Sequence, residues 1–186
     1  MNVLASKGQL RASFVRWSLL TVPAILLLGF LSSAIVGDIG ESAWFAALQK
    51  PAIYPPPALF GIVWAILWVL IGFAVALICA ARGARLRNPA IALFVVQFLV
   101  SLAWTPLFFA LHEMSAALVL IIVLDLLVLA TIYLFWKVRP LAAALMLPYL
   151  AWLVFATILN YQFLALNPDA DGAGGVPPAE VQRMEL

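Results

Sequence analysis

Between Pro55-Pro56-Pro57 and Arg82 the chain reads ALFGIVWAILWVLIGFAVALICAA, Ala58 to Ala81, a run without one charged residue. At about 1.5 Å per residue a helix of that length crosses the ~30 Å hydrocarbon core of a bilayer. Prolines suit the entry to such a helix, because the first turn has no backbone hydrogen bond to lose. Four more apolar stretches read the same way, at 17–36, 89–111, 115–136 and 140–164. The 186-residue chain is 67% hydrophobic and only 10% charged, with a mean hydropathy of +1.14, which leaves too little polar surface for a water-soluble globule. Ten-residue segments of alternating polarity are absent, so helices rather than a barrel satisfy the backbone in lipid. The expectation is an all-α, polytopic membrane protein: a five-transmembrane-helix bundle over 17–166, with helices at 17–36, 58–81, 89–111, 115–136 and 140–164. It has a basic segment at 1–16, an external loop at 37–57 and a disordered tail at 167–186.

Charge sets the orientation and tests the number of spans. Lys7, Arg11, Arg16, Arg82, Arg85, Arg87, Lys137 and Arg139, eight of the ten basic residues, fall on one side of a five-span alternation. Lys50 and Arg183 fall on the other, with Asp38, Glu41, Glu113, Asp169, Asp171, Glu180 and Glu185. Four or six spans would scramble that segregation. The positive-inside rule then puts the N-terminus in the cytoplasm and the C-terminus outside. A second reading takes the first span, with small residues Ser32, Ser33 and Ala34 near its end, as a cleaved secretory signal; an uncleaved anchor is preferred. The single Cys79 excludes an intrachain disulfide and reads as a packed residue.

Seven tryptophans stand out. Trp17 and Trp136 lie at span ends, where an indole is satisfied at the lipid–water interface, but Trp64, Trp68, Trp104 and Trp152 lie inside spans. Helical spacing puts Phe60, Trp64 and Trp68 on one stripe, Gln97, Ser101, Trp104 and Phe108 on another, and Tyr149, Trp152, Ala156 and Asn160 on a third. Polar side chains in hydrocarbon face the bundle interior, so the three stripes are expected to converge. Trp64 sits about 9 Å below the outer end of its span, which sets the convergence in the outer half, beneath the proline-rich loop. The alternatives there are an aromatic-walled cavity and rings packed tightly with no cavity.

Asp125 is the one ionisable residue inside a span, with no Lys or Arg at its depth. It is expected to be a protonated hydrogen-bonder with a partner such as Gln97 or Ser101. His112, in a short outer turn, reads as solvated rather than as a haem ligand. No paired carboxylates, metal-ligand spacing, phosphate loop or nucleophile–base pair emerges. Neither a metal site nor an obligate cofactor is expected, and the implied partners are the bilayer and a hydrophobic small molecule rather than nucleic acid.

The motifs then carry a resemblance. Trp44-Phe45, Leu48, Lys50-Pro51, Pro55-Pro56, Phe60, Trp64 and Trp68 are followed in order by Gln97, Trp104 and Pro106-Leu107-Phe108-Phe109. Leu147-Pro148-Tyr149-Leu150-Ala151-Trp152, Phe155-Ala156 and Leu159-Asn160 complete the series. This ordered set, from Trp44 to Asn160, resembles the TspO/MBR family of translocator proteins and tryptophan-rich sensory proteins. The resemblance implies a five-helix bundle, commonly a homodimer, with a pocket under the first loop that binds porphyrins such as protoporphyrin IX and haem and benzodiazepine-type ligands. It puts Trp44, Trp64 and Trp152 around that pocket and Ala156 and Asn160 on the last-helix motif. It also implies a possible enzyme, since some bacterial members are reported to break down protoporphyrin in light, with the tryptophan matching Trp64 implicated.

Three departures bear on ligand choice. Ser101 stands where the family usually has Asn, and Tyr54 and Trp68 replace the more frequent Trp and Tyr. The final span also lacks the basic residue that the mammalian sterol-recognition pattern requires after Tyr161. The leading expectation is a tetrapyrrole-binding receptor or regulator with Trp44, Tyr54, Phe60, Trp64, Trp68, Gln97, Ser101, Trp104, Phe108, Tyr149, Trp152, Ala156 and Asn160 as ligand-binding residues. Lys50 is expected as the propionate partner. A light- and oxygen-dependent porphyrin-degrading enzyme using Trp64, and a porphyrin or sterol transporter or membrane scaffold, are the alternatives. Gly72, Ala76 and Ala80 form a small-residue ridge that would serve either dimerisation or packing within the chain.

Overall fold

The computed structural model describes residues 7–37 and 42–172. The expectations that concern 1–6, Asp38, Glu41 and the tail beyond Gly172 lie outside the described residues. Among those described there are helices and turns and no strand: α1 Lys7–Val36, α2 Ala43–Ala47, α3 Pro57–Ala80, α4 Arg87–Phe109, α5 Met114–Val138 and α6 Pro140–Leu166. Five are long and apolar enough to cross a membrane, as the sequence leads one to expect.

The helix limits follow local chemistry. Pro57 and Pro140 occupy first turns, where their missing N–H costs nothing. The Arg87 guanidinium donates from Nε to the Cys79 carbonyl (3.1 Å) and so satisfies an acceptor freed at the end of α3. α1 begins ten residues before the expected start at 17, because nothing in Lys7 to Arg16 breaks a helix that leaves the apolar layer. The short α2, inside the expected loop, is capped by Ser42, whose Oγ accepts from the Phe45 amide at 3.3 Å.

The helices form a closed ring in the order α1, α3, α6, α5, α4, with α4 returning to α1 and α3 also touching α4. The outside carries bare aliphatic side chains, Leu19 at 72% exposure and Ile35 at 71% among them, as a lipid-facing wall requires. The start of α1 and the α3–α4 and α5–α6 turns make a basic end, and the α2 loop, the α4–α5 turn and the C-terminal segment make a loop end.

Close approach at the basic end depends on small residues. A Cβ added to Gly72 would lie 2.7 Å from the Val22 Cα, and Thr21 Oγ1 donates to the Gly72 carbonyl at 2.8 Å. Ala76 is fully buried inside the same chain. The ridge at Gly72 and Ala76 is therefore spent on packing within the chain. The first residues of the segment expected to be disordered, 167–172, are folded against the bundle. Asn167 is fully buried, and Pro168–Ala170 forms a 3-10 turn.

Candidate functional site

A cavity of about 540 Å³ occupies the loop-end half of the ring, in the size range of small-molecule sites. Phe60, Trp64 and Trp68 of α3 and Trp152 of α6 form one wall, with Phe60 edge-on to Trp152 at 5.7 Å and Trp64 tilted against Trp68 at 5.6 Å. Ser101, Trp104 and Thr105 of α4 face them, Ile121 and Leu124 of α5 close the back, and Ala156 leaves room between rings. Phe45 and Tyr54 of the loop form a roof with Phe108, Phe109 and Phe163. Among the described residues none that lines it carries a formal charge. The three stripes do converge, and around a hollow rather than a solid packing of rings.

Amides and hydroxyls keep the rings in place. Asn160, 2% exposed, accepts from Trp104 Nε1 at 3.2 Å and donates from Nδ2 to the Met114 carbonyl at 3.0 Å, so one side chain fixes an indole of α4 and the start of α5. Behind the wall, the Tyr149 hydroxyl lies 3.0 Å from Ser101 Oγ and 3.4 Å from Gln97 Oε1. The Gln97 side chain is fully buried and its Nε2 has no partner. Ser32 Oγ donates to the Leu102 carbonyl at 2.8 Å and ties α1 to α4.

Of the expected ligand-binding residues, Tyr54, Phe60, Trp64, Trp68, Ser101, Trp104, Phe108, Trp152, Ala156 and Asn160 line the cavity. Gln97 and Tyr149 sit behind it as support. Trp44 is not on the lining. It is buried in the loop, stacks on His112 at 4.2 Å and donates from Nε1 to the Ala170 carbonyl at 3.2 Å. His112 is thus packed against a ring rather than freely solvated. Its φ of 59° turns its carbonyl to accept from the amides of Met114 (3.2 Å) and Gly172 (3.0 Å).

Lys50 does not point into the cavity. Its Nζ donates to the Phe45 and Leu48 carbonyls and rests 3.9 Å from the Phe45 ring centroid, and partial burial lowers the pKa of its ammonium. Burial likewise raises that of the Tyr54 hydroxyl. Asp125 has neither expected partner. Its Oδ2 accepts from Thr157 Oγ1 at 2.9 Å, and its enclosed Oδ1 has no partner, because it faces the α5–α6 seam whereas Gln97 and Ser101 face Tyr149.

The contribution of α1 was not among the expected site residues. Gly29, Phe30, Ser32 and Ser33 line the cavity, and a Cβ on Gly29 would collide with the Trp68 ring. Paired serines in an apolar helix are a signal of an inward face, and here the same residues also fit a signal-peptide reading. Among the described residues no group of three or more His, Cys, Asp and Glu could hold a metal ion.

The sequence profile of the TspO/MBR family matches residues 21–166. The chain is 33% identical to "Tryptophan-rich protein TspO" of Chlorobaculum tepidum over 150 residues, 80% of this chain and 94% of that protein. It is 33% identical to "Protein CrtK" of Rhodobacter capsulatus over 75% of this chain and 90% of that one. It is 38% identical to the human "Translocator protein" over 63% of this chain and 71% of that one. With the family's motifs spread over three of the five ring helices and the loop, the chain belongs to the TspO/MBR family of membrane proteins.

Proposed function

We propose that this protein is a membrane receptor or regulator that holds a tetrapyrrole, protoporphyrin IX or haem, in the loop-end cavity. The observation that carries the reading is the cavity itself: a hollow walled by Trp64, Trp68, Trp104 and Trp152, with no charge among its described lining residues, which offers flat apolar surface to a large planar ring. Because burying an unpaired carboxylate is costly and none of the described lining residues would neutralise one, a porphyrin's propionates stay at the mouth. Lys50 meets them only after leaving the Phe45 and Leu48 carbonyls. The basic end faces the cytoplasm in this reading, and the working unit is a homodimer, to be tested by cross-linking in lipid.

One observation favours an enzymatic second reading. Trp64 lies between the cavity, Trp68 at 5.6 Å and Tyr149 at 6.2 Å, a short series of oxidisable rings beside the bound ligand. Titration with protoporphyrin IX in the dark and then under light, with Trp64→Phe alongside, separates the two. Saturable indole quenching with an unchanged porphyrin spectrum after illumination supports the receptor. Loss of the porphyrin bands in wild type but not in the variant supports the enzyme. Absence of saturable binding would overturn both. The dimethyl ester of protoporphyrin is expected to bind at least as well as the free acid.

A further inference from the structure

The loop residues 42–56 decide access to the cavity, since Phe45 and Tyr54 are part of its roof. Apart from the turn bond from the Leu59 amide to the Pro56 carbonyl at the entry to α3, the hydrogen bonds described between this segment and the remaining fold all end on the C-terminal segment. The Gln49 amide donates to Asn167 Oδ1 at 2.7 Å, Asn167 Nδ2 donates to the Gln49 carbonyl at 3.0 Å, and Trp44 Nε1 donates to the Ala170 carbonyl at 3.2 Å. The Asn167 side chain thus pairs with one loop residue as a neighbouring strand would, through a donor and an acceptor at once. Asn167 is itself fixed at the end of α6, where its amide and its Nδ2 both donate to the Phe163 carbonyl.

The far end of the segment is pinned as well. The Gly172 amide donates to the His112 carbonyl at 3.0 Å, Asp171 Oδ1 accepts from the Ser115 amide at 3.1 Å, and the His112 ring stacks on Trp44. Residues 167–172 therefore staple the loop to the α4–α5 turn. On its other side the loop joins α3 through Pro55-Pro56-Pro57, a connection whose backbone the prolines stiffen.

We propose that Asn167 and the turn through Gly172 act as a latch on the loop, so that opening of the latch limits the exchange of whatever occupies the cavity. The inference rests on the reading of the cavity as a ligand site, but the latch can be tested without a ligand. Asn167→Ala removes both bonds to Gln49, which is expected to raise the open population by about tenfold or more. Asn167→Asp keeps an acceptor for the Gln49 amide and loses the donor, and Trp44→Phe keeps an aromatic ring, smaller than the indole, and loses the N–H. Both are expected to fall between wild type and Asn167→Ala.

The test uses the full chain in lipid nanodiscs, with two readouts. Hydrogen exchange without ligand reads the loop amides, and stopped-flow mixing with protoporphyrin IX reads association and dissociation. The expected result is that Asn167→Ala speeds exchange at the Gln49 amide, and both porphyrin rates, by about tenfold, with Kd changed far less. Unchanged Gln49 exchange in Asn167→Ala and Asn167→Asp would overturn the latch. Faster exchange with unchanged porphyrin rates, or faster dissociation with unchanged association, would overturn its control of ligand exchange. Should wild type bind no porphyrin, the ligand reading fails, while hydrogen exchange still decides whether the latch exists.

Discussion

The two halves of the ring are built from the same apolar helices, yet one is solid and the other hollow. At the basic end, Gly72, Ala74, Ala76, Ala90, Ala142 and Ala143 let backbones approach, and Phe94, Phe98 and Phe135 fill what remains. At the loop end, every helix but α5 presents an aromatic ring to the centre, and the rings hold the helices apart around space they do not fill. Lipid tails are as apolar as the side chains, so helices gain little from contact alone and pack where shapes interlock. The solid half is held by shape, with Thr21 as a polar tie across α1 and α3. The hollow half is held by polar bonds between helices, through Asn160, Ser32 and Tyr149.

That contrast is breakable in an order of expected effect. Gly72→Leu drives a side chain into the Val22 backbone and is expected to cost about 3 kcal/mol, read as a lower melting temperature in detergent. An unchanged melting temperature would mean that shape does not hold the solid half. Asn160→Ala leaves Trp104 Nε1 unpaired and removes the bond that ties α6 to the Met114 carbonyl, and is expected to cost about 2 kcal/mol, with a loss of porphyrin affinity because Trp104 is released.

Ser101→Asn puts an amide beside Tyr149 and unpaired Gln97 Nε2, and is expected to alter affinity by about fivefold while changing stability by less than about 1 kcal/mol. Competition between porphyrin free acid and ester measures it. Asp125→Asn is expected to do least. Its site on the α5–α6 seam is off the cavity, and an amide can still accept from Thr157, so ligand affinity should stay within about twofold.

The fold was legible in the sequence because span length and the segregation of charge are properties of each segment by itself. The three aromatic stripes were legible for a similar reason: 3.6-residue periodicity lies within one helix. What depended on the relative rotation of helices was not. Asp125 pairs with Thr157 because of how α5 turns towards α6, and no spacing on α5 encodes that angle. Gly29 serves the Trp68 ring on another helix, so its purpose shows only when the two meet. The tail looked disordered from its glycines and prolines, yet Asn167 finds its partner in Gln49, 118 residues earlier in the chain. Lys50 was read by its charge, whereas its position turns it onto the loop's own carbonyls.

The most direct test of the hollow half as a ligand site is fluorine NMR of protein labelled with 5-fluorotryptophan in nanodiscs, titrated with protoporphyrin IX in the dark. The seven resonances are assigned by single Trp→Phe variants. The account predicts large shifts or broadening for Trp64, Trp68, Trp104 and Trp152, which line the cavity, and none for Trp17 and Trp136 towards the basic end. Shifts confined to Trp17 and Trp136, with the four cavity tryptophans unmoved at saturation, would contradict it.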